Sequence, residues 1–278
     1  MSPEQQRHPQ VQADLAQARR VVAETQSKST RPAPEASKHS ARLPKTVVQL
    51  SSANNKKVPG ARSKSEWEQK FQSWQKPSPV KAQDVMNWRP SYPSKPDLKQ
   101  KMMSGAQGFL DMLPPDVAKS LGKVNIDLAA SLRKGVPAQY FPDTNTITFS
   151  HMQMGGHNEL QVRKLMWHEM AHWLFDKAGD ANADPHLKAW RAKVEQHWQD
   201  RTKGQQTRTH PVEQWKYIRD SWLSDYVGRL YPGETTGLEL PAIYMEEAAV
   251  GPLRLVWLGQ YDSCAQETFD IILSIFQK

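Results

Sequence analysis

Residues 158–179 restrict the fold more than any other stretch of this 278-residue chain. Asn158 is a suitable N-cap, Gln161 follows three residues later, and Gly179 is a suitable stop, so the segment reads as one helix. Leu160, Leu165, Met166, Met170, Trp173 and Leu174 give it an apolar surface that other elements must cover. The same helix carries Trp167-His168-Glu169-Met170-Ala171-His172-Trp173, the pattern HExxH. Positions four apart on an α-helix differ by only about 40° in azimuth. His168 and His172 therefore present two imidazoles on adjacent turns, spaced to share one metal ion. Glu169 would reach a water on that ion and act as its general base.

A catalytic zinc normally has three protein ligands and an open fourth position. The extended form HExxHxxGxxH is absent, because Phe175 stands at its glycine position and Ala178 at its last histidine position. The third ligand must come from elsewhere. Glu239, in Gly237-Leu238-Glu239-Leu240-Pro241-Ala242-Ile243-Tyr244-Met245-Glu246-Glu247, can reach the metal from the start of a downstream helix. Glu246, seven residues on, shares its face and is placed to hydrogen-bond a ligating histidine. Two alternatives stay open. Thr236-Gly237-Leu238-Glu239 also fits a capping box, in which Glu239 would only accept a backbone N–H, and Asp225 is the other candidate ligand. Cys264, the single cysteine, excludes both an intrachain disulfide and a site of several thiolates.

Charge divides the chain unevenly. Residues 1–101 hold 19 Lys+Arg against 8 Asp+Glu, a net of +11, and the remainder holds 18 against 21, a net of −3, together the overall +8. A basic arm suits an acidic partner such as nucleic acid or an anionic surface, or else it is a tail kept soluble by its charge. Val11, Leu15, Ala18 and Val22 share one face of a short helical pattern, but residues 27–60 have almost no apolar clustering and read as disordered. No apolar run approaches the roughly 18 residues of a membrane span. Met1 to Gln6 lacks a signal-peptide pattern, so the expected location is cytoplasmic, with virion association or export by another route as alternatives.

The reading places a disordered basic arm over 1–95 and a folded domain over 96–278. Within the arm, Ser65-Glu66-Trp67-Glu68 has the form of a capping box and precedes Trp67, Phe71 and Trp74 at i, i+4, i+7. This predicts a short amphipathic helix over 65–76 that docks on the body or serves as a binding motif. Prolines at 77, 79, 90, 93 and 96, with Trp88 and Tyr92, suggest an extended linker. Leu98, Met102, Ala106, Phe109 and Leu113 then mark a helix, and Val124, Ile126 and Leu128 alternate as in a half-buried strand. Ala138 to Phe141 and Thr146 to Ser150 flank Pro142-Asp143-Thr144-Asn145 and form a β-hairpin pattern. Asp184-Pro185 opens another helix. Trp215, Ile218 and Trp222 suggest one more, 236–249 a further one, and Phe269, Ile272, Ile275 and Phe276 a last one. The fold class is α+β.

His168-Glu169-x-x-His172 with a distant glutamate on a later helix resembles the gluzincin branch of the zincin metallopeptidases. More narrowly, residues 221–247 look like zincin-like domains of some tailed-phage and prophage head-morphogenesis proteins. The likeness rests on Asp225-Tyr226-Val227-Gly228-Arg229-Leu230-Tyr231 followed by Glu239-x-x-Ala242-Ile243-Tyr244-x-Glu246. Ala242, Ile243 and Tyr244 stand where Ser, Met and Gly are usual. The resemblance implies a small twisted sheet over the HExxH helix and a Zn2+ held by His168, His172 and Glu239. It also implies a zinc metallopeptidase, a hydrolase of protein or peptide substrates, with Glu169 as base. Thr146 to Ser150 would be the strand beside the cleft, and His210, Tyr226, Tyr231 or Tyr244 would supply the oxyanion donor. A weakly catalytic or non-catalytic phage assembly protein and an exported protease toxin or effector are the alternative readings.

Overall fold

Two Ser-x-x-Glu registers compete at the start of the first aromatic helix, and the earlier one is used. In the computed structural model, which describes residues 62–89, 96–129, 132, 136–209, 216–218, 227–231, 238–261 and 263–277, Ser63 caps helix α1 (Lys64–Trp74). The Ser63 hydroxyl accepts from the Glu66 N–H, and the Glu66 carboxylate accepts from the Ser63 N–H at 2.6 Å. The expected box at Ser65 and Glu68 is thus two residues late. Starting at Ser63 adds half a turn without moving Trp67, Phe71 or Trp74, all of which are buried. The helix docks on the body, with the Trp67 ring edge-on to Phe269 at 6.1 Å.

The expected domain boundary near Pro96 is also too late. After α1, the short α2 (Ala82–Val85) leads into β1 (Met86–Arg89), which pairs in parallel with a later strand. Four residues between prolines carry little periodicity of their own, so only that pairing reveals the strand. Residues 1–61, the prolines at 90 and 93, Tyr92, His210, Trp215, Trp222, Asp225 and Tyr226, on which expectations were placed above, lie outside the described residues.

Helices α3 (Pro96–Leu110) and α4 (Pro115–Ser120) carry the chain to β2 (Val124–Ala129), whose Val124, Ile126 and Leu128 are buried as the alternation predicts. The hairpin forms as expected from β3 (Ala138–Phe141) and β4 (Thr146–Ser150). Its turn is one 3-10 stretch, Pro142–Thr144, closed by Asn145 at φ 46°, a left-handed position that asparagine tolerates better than most residues. The sheet order is β1-β2-β4-β3, parallel except for β3.

That order corrects one expectation. Strand β4 lies between β2 and β3, so both its edges are already paired and all five residues are buried. Among the described residues the outer strands are β1 and β3, and β3 is the one that touches the HExxH helix. The Ser150 N–H donates to the Pro137 carbonyl at 2.8 Å, which sets the antiparallel phase. Residues 139 and 141 then bond inward to β4, and the backbone groups of Ala138 and Tyr140 turn to the open side.

Beyond α5 (His151–Met154) comes α6 (Glu159–Lys177), the HExxH helix, whose Asn158 and Gln161 form the expected capping box with bonds of 2.8 and 2.9 Å. It packs against α3 and touches β3. The close approach to α3 needs Gly105, where an added Cβ would sit 3.2 Å from the Arg163 Cα. The Trp167 indole N–H donates to the Gly105 carbonyl at 3.1 Å, fixing the register of the two helices. Leu160, expected in the apolar face, is exposed, because the buried surface starts at Val162.

Asp184 caps α7 (Pro185–Thr202) as expected, accepting from the N–H groups of His186 and Leu187. A second sheet follows, formed by β5 (Thr207–Thr209), β6 (Lys216–Ile218) and β7 (Arg229–Leu230) in antiparallel order. Residues 216–218 were expected in a helix. They are a strand, because Lys216, Tyr217 and Ile218 find pairing partners on both sides. The chain ends in α8 (Glu239–Ala248), α9 (Pro252–Tyr261), α10 (Ser263–Ile272) and a 3-10 turn, Leu273–Phe276. Pro241 falls in the first turn of α8, where its missing N–H costs no helical bond. The architecture is α+β, and no described helix is long and apolar enough to cross a membrane.

Candidate metal centre

The partners along α8 run backwards along α6. Glu239 meets His172 and His168, Glu246 meets His168 and Lys164, and Glu247 meets Lys164. The two helices are therefore antiparallel, and Glu239 and Glu246, two turns apart on one face, straddle His168.

His168 Nε2 and His172 Nε2 are 3.2 Å apart, and Glu239 Oε2 lies 3.4 Å from the first and 3.5 Å from the second. Ligands about 2.0–2.1 Å from one tetrahedral centre are separated from each other by about 3.3–3.4 Å. The triangle fits that requirement on every side, so the three residues could hold one metal ion. Among the described residues they are the single such cluster, and His151 and His157 are not part of it.

Burial strengthens the case. The Glu239 carboxylate is 1% exposed, and its Oε2 has no hydrogen-bond partner. An unsatisfied buried acceptor costs about 1–3 kcal/mol, and more when it is charged. Its Oε1 accepts from the Tyr231 hydroxyl, so Oε2 alone is left to face the imidazoles. The capping-box alternative for Glu239 does not occur: Leu238 takes the cap position and makes no side-chain cap bond.

Hydrogen bonding fixes how His168 presents itself. Its Nδ1–H donates to Glu246 Oε2 at 3.1 Å, which leaves the Nε2 lone pair for a metal. In the metal-free chain a proton takes the cation's place. Desolvation opposes charge on His168, but the nearby Glu239 carboxylate, the hydrogen bond to Glu246 and the charge of Glu169 raise its pKa well above the usual value. Glu239 shows the complementary effect: burial pushes its pKa up, and the two histidines more than reverse this and hold it well below the ordinary carboxylate value.

Glu169 is 4% exposed and lies outside the ligand triangle. Burial raises its pKa, while the two imidazoles and the Tyr140 backbone N–H pull in the opposite direction. The net upward shift moves a carboxylate toward the range useful for proton transfer near neutral pH. The tie to Tyr140 was not legible in the sequence, because it depends on β3 being an edge strand with that amide turned outward. The Tyr140 hydroxyl donates to Asp176 at 2.7 Å and lies 3.2 Å from the Asn145 side-chain amide, fastening the hairpin to the end of α6.

The tyrosines named from the sequence fare differently. Tyr231 reaches the cluster through Glu239. Tyr244 is fully buried with its ring 4.8 Å from Phe269, in the core rather than at a cleft. No protein-family model, curated protein or solved structure matches the chain.

Proposed function

We propose that the chain is a zinc-dependent peptidase, and the observation that carries the reading is the triangle of His168, His172 and Glu239 with Glu169 beside it. Zinc is favoured over harder cations by two imidazole nitrogens, one carboxylate and a tetrahedral spacing. When bound, zinc would lower the pKa of a water and polarise a carbonyl.

The chain's own residues supply the rest. Glu169 accepts the water proton as the carbonyl carbon is attacked, and delivers it to the departing amine, so that the peptide C–N bond breaks into a carboxylic acid and an amine. The Tyr140 N–H holds Glu169 in place for both transfers. The outward N–H and carbonyl of Ala138 and the outward carbonyl of Tyr140 offer an extended peptide a strand to pair with. Tyr231, whose hydroxyl bonds the Glu239 ligand, is the candidate donor for the developing oxyanion.

Glu169→Gln tests the catalytic claim. Turnover of a peptide library should fall about 10²- to 10⁴-fold, with zinc content unchanged. Equal cleavage by the wild type and the variant would remove Glu169 as base. Zinc binding with no cleavage by the wild type would favour an assembly protein that keeps the site without the reaction.

A further inference from the structure

The reaction outlined above makes no use of Lys164, a charged group close to the metal ligands. Lys164 sits one turn before His168 on α6, as His172 sits one turn after, so the three side chains form one stripe. Lys164 Nζ lies 3.1 Å from Glu246 Oε1, while the other oxygen of that carboxylate accepts from His168 Nδ1 at 3.1 Å. One glutamate on α8 is thus gripped at both oxygens by successive turns of α6. Lys164 Nζ is also 3.4 Å from Glu247 Oε1, and Glu247 Oε2 accepts from Arg254 at the start of α9.

We propose that Lys164 is a positioning residue of the metal site, acting through Glu246 to aim His168. A glutamate with His168 as its sole partner could rotate about its side-chain torsions and take the imidazole with it. Held at its second oxygen, the carboxylate has one orientation, and so do the Nδ1–H bond and the Nε2 lone pair opposite. With both oxygens held as acceptors, the carboxylate selects the Nδ1–H tautomer of His168. Burial disfavours the Lys164 charge, but Glu246 and Glu247 outweigh it and raise its pKa. With side chains 27% and 22% exposed, Lys164 and Glu246 would contribute little as a plain ion pair. The distinguishing feature is the shared carboxylate. The inference rests on His168, His172 and Glu239 binding a metal, and is independent of peptidase activity.

The test measures zinc affinity of the full chain by competition with a chromophoric chelator, beside the visible absorption of the cobalt(II) form. Lys164→Met should weaken zinc about tenfold, at the lower end of what loss of an outer-sphere partner does, and should alter the cobalt bands. Lys164→Arg should restore both to near wild type. Glu246→Gln should also weaken zinc, and adding Lys164→Met to it should cost nothing more, because the lysine acts through that carboxylate. Lys164→Gln carries the same expectation should Lys164→Met not fold. Wild-type zinc affinity and an unchanged cobalt spectrum in the lysine variants would overturn the proposal whatever happened to thermal stability. So would losses that simply multiply in the double variant. A wild-type chain that binds no zinc would instead defeat the metal site itself.

Discussion

The two sides of α6 are buried by opposite means. One side is closed by rings: Trp167 stands edge-on to Phe109 at 5.6 Å, and Phe276 lies 6.4 Å from Trp167, 6.1 Å from Phe109 and 5.9 Å from Trp74 of α1. The other side is closed by ionisable groups, with Glu169, Glu239 and Glu246 gathered around His168 and His172. On the aromatic side each contact adds a modest, non-directional increment, and losing one leaves a cavity. On the ionisable side each group is tolerable because its partners are present, so the loss of one leaves others buried and unpaired. The aromatic side holds the helix in place, and the ionisable side needs an added cation, a proton or a metal, to be complete.

The largest effect should come from breaking the ionisable side. Glu239→Ala removes the carboxylate that both histidines face, and zinc affinity should fall by well over the ~10–100-fold expected for an outer partner. Titration against a chelator measures it, and an unchanged affinity would turn attention to Asp225 as the third ligand. The aromatic side should behave differently. Phe276→Ala opens the junction of α1, α3 and α6 and should cost about 3–5 kcal/mol of stability, read from denaturant unfolding. The zinc affinity of the folded fraction should not change. A parallel loss of zinc binding would show that the two sides are coupled.

The smallest effect sharpens the role of the cation. His168 has a raised pKa in the metal-free chain, so near neutral pH it carries a proton that a metal must expel. Zinc affinity should therefore rise with pH, by up to tenfold per unit for one proton, or about 1.4 kcal/mol. Calorimetry in buffers of different ionisation enthalpy counts the protons released. Because the folded-state value is the raised one, the stability that this proton contributes is complete below the unfolded histidine pKa near 6.5 and is lost as pH rises through the folded value. The zinc form should lack that loss.

Much of the site was legible before the fold. Asn158, Gln161 and the i, i+4 histidines are local features, set by cap chemistry and helical geometry. The seven-residue spacing of Glu239 and Glu246 placed both on one face of α8 in the same way. Less legible were the elements whose partners lie far along the chain. Strand β1 becomes a strand by pairing with β2, residues 216–218 become one between β5 and β7, and β4 loses its expected edge because β2 covers it.

The sequence by itself determined the pieces: a capped helix with two imidazoles on one stripe, a hairpin turning at Asn145, and a carboxylate pair two turns apart. Each follows from backbone geometry within about ten residues. Tertiary structure decided which atoms meet. It set α8 antiparallel to α6 so that Glu239 Oε2 faces both Nε2 atoms, and it turned the Tyr140 amide toward Glu169. It also closed Tyr244 into the core and left Tyr231 at the ligands. Those outcomes depend on how buried surfaces pack across long sequence separations, and a local pattern carries no record of the register that packing selects.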